Sequence, residues 1–235
     1  MSLRINLPDD EIHVWQLSLS NALIDWFEYA ELLSKTEQDK VARFRNPLHR
    51  SRAMAVRVQL RLLLSHYLML EPQQIDFQTE QYGKPVLSNT NLAFNLSHSG
   101  SDGLVAVSMN SQMGVDIEHW RSLDNLDGMV ERNFSAIEKE IWQRVPKEQQ
   151  MPVFFHHWTA KEAFIKATGR GLGMGLARCS FDIAGDTRLL ACPAEYGRPE
   201  DWQSYQLAVG EKKSATLVIK AKASQLVLKN FNPKL

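Results

Sequence analysis

Residues 75–118 read IDFQTEQYGKPVLSNTNLAFNLSHSGSDGLVAVSMNSQMGVDIE. Four short apolar runs, Ile75–Leu87, Leu92–Ser99, Gly103–Met109 and Met113–Glu118, are punctuated by Gly83 and by Asn89–Asn91, the pattern of strands in an antiparallel sheet. Upstream the texture is different. Residues 21–70 carry helical periodicity, from NALIDWFEYAELL through Asn46-Pro47, an N-cap followed by a first-turn proline, into a long segment ending near Leu70. Downstream, LDNLDGMVERNF reads as helix, Ser135 and Glu138 have capping-box spacing, and Val153–Thr168 lies between Pro152 and Gly169 as a third helix. LARCSFDI, TRLLACP, YQLAVG and ATLVIKA then resume the strand texture. Helices, strands, helices, strands is the order of an α+β chain with two halves of comparable size, not of alternating βαβ units.

At 235 residues, with 44% hydrophobic and 23% charged residues and only 12 Gly and 9 Pro, the chain is long enough for a sizeable core and excludes collagen-like or low-complexity classes. Lys plus Arg and Asp plus Glu both number 27, so the overall field gives no reason to expect nucleic acid or an anionic membrane as partner. Cys179 and Cys192 are too few for a disulfide scaffold and too far apart for a CxxC pair, which fits a reducing, cytoplasmic setting. The opening MSLRINLPDDEIHVW lacks the apolar core of a signal peptide, and no run of about 18 apolar residues follows. The expectation is a soluble, unexported protein. Phosphate-loop, HExxH, GxSxG and CxxC motifs are absent, and GRGLGMG fails the dinucleotide spacing.

Gly114-Val115-Asp116-Ile117-Glu118 alternates apolar with acidic, so on a strand Asp116 and Glu118 share one face about 7 Å apart. By itself that is compatible with an edge strand bearing solvated acids. With a third acid it becomes a site for a hard divalent cation such as Mg²⁺, which relieves like-charge repulsion. WTAKEAFIK supplies one: Trp158, Glu162 and Lys166 lie along one helical stripe with Lys161 beside it, although the same spacing also suits an exposed Glu162–Lys166 pair with Trp158 as core anchor.

From Lys40 to Leu70 there are arginines at 43, 45, 50, 52, 57 and 61 and no carboxylate. Such a stretch is either a solvated face whose Arg stems cover apolar neighbours or a surface for a phosphorylated ligand. Lys84 in the turn YGKP, and Ser97-His98-Ser99 after LAFNL, add donors that could reach a phosphate. Ser97 and His98 are not a hydrolase dyad, because consecutive strand side chains point to opposite faces.

Taken together and in this order, YGKP, FNLSHS, GVDIE, FSAIE and WTAKEAFIKATGRGL resemble the Sfp-type 4′-phosphopantetheinyl transferases over about Lys40–Leu172. The resemblance implies two similar α+β halves related by a pseudo-twofold axis, residues 1–113 and 114–235, each with a small antiparallel sheet packed by helices and with coenzyme A in the cleft between them. It implies Asp116, Glu118 and Glu162 as Mg²⁺ ligands, and Glu162, Lys166 and Asp116 as the catalytic groups. Lys40, Arg52, Lys84 and His98 would hold the 3′-phosphate and adenine-ribose end, and Ser97, Lys161 and Lys166 the pyrophosphate. Glu37 falls where some members carry a further basic contact.

The implied reaction is Mg²⁺-dependent transfer of the 4′-phosphopantetheine arm of coenzyme A to a serine of an apo acyl or peptidyl carrier protein, releasing 3′,5′-ADP from a monomeric enzyme. Either Glu162 or a water on the metal takes the serine proton. Leu123–Phe134 and the adjoining Ser135 helix are candidates for carrier recognition. Two other readings use the same residues: a Mg²⁺-dependent coenzyme A pyrophosphohydrolase with water as acceptor, and a non-catalytic polyanion binder built on the arginine helix.

Overall fold

A computed structural model describes residues 4–20, 24–109, 112–182, 187–220 and 225–233. The first strand, β1 (Glu11–Ser18), has no counterpart in the sequence reading. Its apolar alternation slips between the adjacent Val14 and Trp15, and the polar His13 is buried together with Ile12 and Val14. Most of the expected helical third follows, in pieces: a 3₁₀ segment at Trp26–Leu32, then α1 (Lys35–Ala42) and α2 (Pro47–Leu68), while residues 21–23 of that expectation lie outside the described residues. Ser34 and Glu37 form a capping box at α1. Asn46 caps α2 by accepting the Leu48 and His49 N–H groups at 2.9 and 3.3 Å, with Pro47 in the first turn.

The strands and helices that complete the fold are β2 (Phe77–Thr79), β3 (Pro85–Leu87), β4 (Leu92–Ser99), β5 (Asp102–Met109), β6 (Gln112–His119), α3 (Leu126–Asn133), α4 (Ala136–Trp142), α5 (Gln150–Thr168), β7 (Ser180–Asp182), β8 (Arg188–Ala191), β9 (Gln203–Gln206), β10 (Lys213–Lys220) and β11 (Gln225–Asn230). The α+β class is as the sequence predicts. Of YQLAVG, only Tyr205 and Gln206 belong to a strand. One sheet has the order β11-β1-β5-β4, the other β6-β10-β9, and β2–β3 and β7–β8 form small separate pairs.

One detail departs from the antiparallel pattern. The first sheet is mixed, because β11 runs parallel to β1 with Glu11 opposite Gln225 and Gln16 opposite Asn230. The last strand thereby pairs with the first. The strand is held there partly by aromatic contact, the Phe231 ring meeting the Trp15 edge at 6.1 Å.

The layers run helix, sheet, sheet, helix. Val58 and Leu63 of α2 pack with Phe94, Val105 and Val107 on one face of the first sheet. Its opposite face, Ile12, Val14, Leu104 and Ala106, meets Val115, Ile117, Leu217 and Ile219 of the second sheet. Behind the second sheet, Ala160, Ala163 and Phe164 of α5 pack with Val218, Phe181 and Trp202. A fourth cluster of Phe134, Trp142, Phe154 and Phe155 braces the start of α5, which puts Phe134 in the core instead of on a recognition surface. Among the described residues no helix is long and apolar enough to cross a membrane.

Gly114 sets the distance between α5 and β6. A Cβ there would stand 2.1 Å from the Ala163 carbonyl oxygen and 2.5 Å from the Ala167 nitrogen, both backbone atoms that cannot rotate away. Gly114→Ala should therefore push α5 off β6 and cost at least about 1–3 kcal/mol of stability in a urea titration.

His157 is also buried, 4.9 Å from the Phe134 ring and without a hydrogen-bond partner on either nitrogen. Burial, with the nearby Lys161 and His156 charges, pulls it down to about 3 from 6.5. Between these values the unfolded chain takes up a proton that the folded chain refuses, so the stabilisation is complete above pH 6.5 and lost as pH falls towards 3. Urea midpoints at pH 7, 6 and 5 should show a loss approaching about 1.4 kcal/mol per unit below pH 6.5, and His157→Leu should flatten that slope.

Candidate active site

β4 and β6 lie side by side where the two sheets meet, and side chains of β4 take the place of a backbone ladder between them. Asn95 Oδ1 accepts the Val115 N–H at 2.8 Å, Ser97 Oγ donates to Asp116 Oδ1 at 2.7 Å, and Ser99 Oγ donates to Glu118 Oε2 at 2.8 Å. Residues 95, 97 and 99 share one strand face, so FNLSHS presents its polar atoms to GVDIE at a matching spacing. As expected, Val115 and Ile117 are buried on the opposite face.

Because Gly114 admits α5 so closely, Lys166 reaches across the seam. Its Nζ donates to Asp116 Oδ1 at 2.7 Å, Ser97 Oγ at 2.8 Å and the Val115 carbonyl at 3.2 Å. Asp116 is 5% exposed, and its second oxygen, Oδ2, is buried with no hydrogen-bond partner. Burial raises the Asp116 carboxyl above its ordinary range, opposed by Lys166 and the Ser97 hydroxyl.

Glu162 stands one turn before Lys166 and, with no hydrogen bond inside the protein among the described residues, is pushed up to about 7. Burial is the main cause, and Asp116 and Glu118 add to it while Lys166 opposes them. The Glu162–Lys166 pair suggested by helical spacing is not formed, since Lys166 pairs across to Asp116. Trp158, on the same stripe, stacks on Phe154 at 5.6 Å as a core anchor. Glu118 turns to Ser99 and to Arg121, at 2.9 Å.

Asp116 and Glu118 are close enough to raise the proton affinity of Glu162, and Glu118 adds to that of Asp116. Even so, among the described residues no three acidic, His or Cys side chains converge tightly enough to cage an ion as they stand. What fits a hard cation is the donor chemistry: carboxylate oxygens only, one of them buried and unsatisfied.

A cavity of about 540 Å³ opens beside this cluster, lined by Lys40, Arg57 and His98 and also by Glu37, Arg61 and Asp76. His98 joins the two regions, its proton affinity lowered by burial and by Lys166 and Arg57. Of the groups expected here, Lys40 and His98 line this cavity, with Arg57 beside them. Arg52 lies on α2 ahead of Val56 and Leu60, which share its stripe and also line the cavity, and its Nε is buried with no hydrogen-bond partner. Glu37 is occupied: its Oε2 takes Arg61 Nε and Nη2 at 2.9 and 2.7 Å, so the acid and one arginine neutralise each other in the wall. Lys84 donates to the Met113 carbonyl at 3.1 Å and lines a second, smaller cavity of about 340 Å³ with Glu80, Thr168 and Gly169.

Lys161 requires a correction. Its side chain is 0% exposed, with Nζ 2.6 Å from Glu138 Oε2 and donating to the Leu176 and Cys179 carbonyls at 2.9 and 2.5 Å. Glu138 completes the node: its carboxylate accepts the Ser135 and Phe181 N–H groups, both at 2.8 Å. Lys161 thus fastens α5 to α4 and β7 on the side away from the cleft. Residues 161 and 166 differ by about 140° around a helix, which sends their ammonium groups to opposite sides.

Two family models match this chain. One, described as the 4′-phosphopantetheinyl transferase superfamily, covers residues 112–218; the other, 4′-phosphopantetheinyl transferase, N-terminal, covers residues 15–110. The 4′-phosphopantetheinyl transferase HetI of Nostoc sp. is 39% identical over 172 residues, 72% of this chain and 73% of that protein. The 4′-phosphopantetheinyl transferase psf-1 of Bacillus pumilus is 36% identical over 166 residues, 70% of each. A solved holo-(acyl-carrier-protein) synthase from Bacillus anthracis, described in complex with CoA (3′,5′-ADP), gives a TM-score of 0.38 at 17% identity over 47% of this chain and 96% of that one.

The two lysines of α5 should behave differently on substitution. Lys161→Ala leaves Glu138 charged and buried, and should cost about 3–5 kcal/mol in chemical denaturation. Lys166→Met changes a group at the cleft, and the protein should keep its fold by circular dichroism.

Proposed function

The chain belongs to the 4′-phosphopantetheinyl transferase superfamily, and from that membership we propose how its cleft moves the phosphopantetheine arm of coenzyme A onto a carrier-protein serine. The observation that supports the reading best is the Asp116–Lys166–Ser97 cluster, with its unsatisfied carboxylate oxygen, beside a cavity walled by Lys40, Arg57 and His98.

The ligand carries a 3′-phosphate and a pyrophosphate, and this chain offers cations for each. Lys40, Arg57 and His98 hold the 3′-phosphate end, where a guanidinium fork suits phosphate oxygens. Ser97 and Lys166 meet the pyrophosphate. Asp116, through its free Oδ2, and the flanking Glu118 and Glu162 would hold Mg²⁺, which neutralises pyrophosphate oxygens when bound.

The carrier serine oxygen attacks the phosphorus that bears the pantetheine arm, and the bond from that phosphorus to the bridging oxygen breaks. Glu162, unpaired among the described residues, accepts the serine proton. Lys166 stabilises the charge on the departing 3′,5′-ADP. Arg121, paired with Glu118 at 2.9 Å, and the exposed residues of the segment from Leu123 to the Ser135 helix receive the carrier.

Incubated with coenzyme A, Mg²⁺ and an apo carrier, the protein should add the mass of the arm to that carrier. Release of free 4′-phosphopantetheine without a carrier would mark a pyrophosphohydrolase instead, and steep salt-dependent polynucleotide binding indifferent to Mg²⁺ would mark a polyanion binder. Glu162→Gln should lower turnover by about 10²–10⁴-fold and Lys166→Met by about 10²–10³-fold, with circular dichroism unchanged; full activity in Asp116→Ala would overturn the assignment.

A further inference from the structure

The two cysteines, 13 positions apart in sequence, flank the outer end of one strand pair. Ser180 pairs with Ala191 at the end of the antiparallel β7–β8 ladder, past a register shift between Ser180 and Phe181, and extending that pair by one residue sets Cys179 opposite Cys192. Cys179 keeps an extended backbone, with φ −118° and ψ 151°. Opposed residues of an antiparallel pair have Cα atoms about 4.5–5.5 Å apart, inside the span that a disulfide bridges. Both side chains pack into the same apolar cluster behind α5, so they point the same way from the ladder. Their thiols are free, each donating to a nearby carbonyl: Cys179 Sγ to Leu176 and Cys192 Sγ to Gly197, both at 3.5 Å.

We propose that Cys179 and Cys192 are an oxidisable pair that closes into an intramolecular disulfide on exposure to a low-molecular-weight disulfide such as oxidised glutathione. Cys192 is the partly exposed member and reacts first. Its thiolate attacks one sulfur of the small disulfide, forming a mixed disulfide and releasing one small thiol. The Cys179 thiolate then attacks the Cys192 sulfur and expels the second small thiol. The protein loses two protons and two electrons, and the small disulfide gains them as two thiols. Burial holds both thiols above the usual cysteine range, most strongly Cys179, so the exchange is slow near neutral pH and faster in mild alkali.

The bond would staple the β7–β8 pair at the Cys179 carbonyl that receives Lys161. Neither thiol belongs to the cleft, so oxidation should leave transfer activity in place while raising the melting temperature by several degrees.

Folded protein is incubated with oxidised glutathione at pH 8, quenched and digested with trypsin without reduction. Trypsin cuts after Arg178 and Arg188, so Cys179 and Cys192 fall on different peptides. The expected result is one species joining them, with the native thiol titre falling from two to zero. Cys179→Ser should stop at a glutathione adduct on Cys192, and Cys192→Ser should leave Cys179 reduced. Wild-type protein that retains both thiols, stops at the glutathione adduct, or links between chains while still folded overturns the proposal.

Discussion

The missing side chain at Gly114 is the constraint on which the cleft depends. Helix α5 rests on β6 with two of its backbone atoms in space that any Cβ would claim. That contact lets the Lys166 ammonium span the seam to the Asp116 carboxylate and the Ser97 hydroxyl. Asp116 is buried enough that solvation alone would not keep it charged, so its ionisation is tied to the position of α5. The geometry of the helix and the electrostatics of the strand are one arrangement.

A second ion pair holds the helix from behind. Lys161 and Glu138 are both fully buried, and every charge is met by backbone carbonyls or N–H groups as well as by its partner. Buried pairs of this kind contribute little net stability but enforce a single geometry when fully satisfied. Here the consequence is that α5 cannot roll, and Glu162 and Lys166 keep facing the seam. One helix therefore carries two lysines with unrelated duties, one fixing its rotation and the other serving the cleft.

The acid-free arginine segment is only partly available to a ligand. Arg61 is consumed by Glu37, and Arg50 folds back on the Phe44 carbonyl, where its Nε and Nη2 donate at 3.0 and 2.9 Å. Lys40 and Arg57 line the cavity beside His98, Arg57 with its Nη1 held by the Ala53 carbonyl at 2.8 Å, and the buried Nε of Arg52 has no hydrogen-bond partner. The local charge imbalance in the sequence is real, but tertiary pairing decides which charges reach a ligand.

Local patterns were enough to identify most elements, the caps at Asn46 and at Ser135 with Glu138, the shared face of Asp116 and Glu118, and the stripe that carries Glu162 and Lys166. These follow from periodicity along a single element, which residue order contains completely. Strand β1 escaped because its alternation slips between Val14 and Trp15, two adjacent apolar residues, and its polar His13 is buried as well. The parallel return of β11, the burial of Lys161, the pairing of Glu37 with Arg61 and the turning of Lys84 to Met113 required the folded chain. Long side chains reach in any direction their element allows, and the one taken is set by partners far away in sequence.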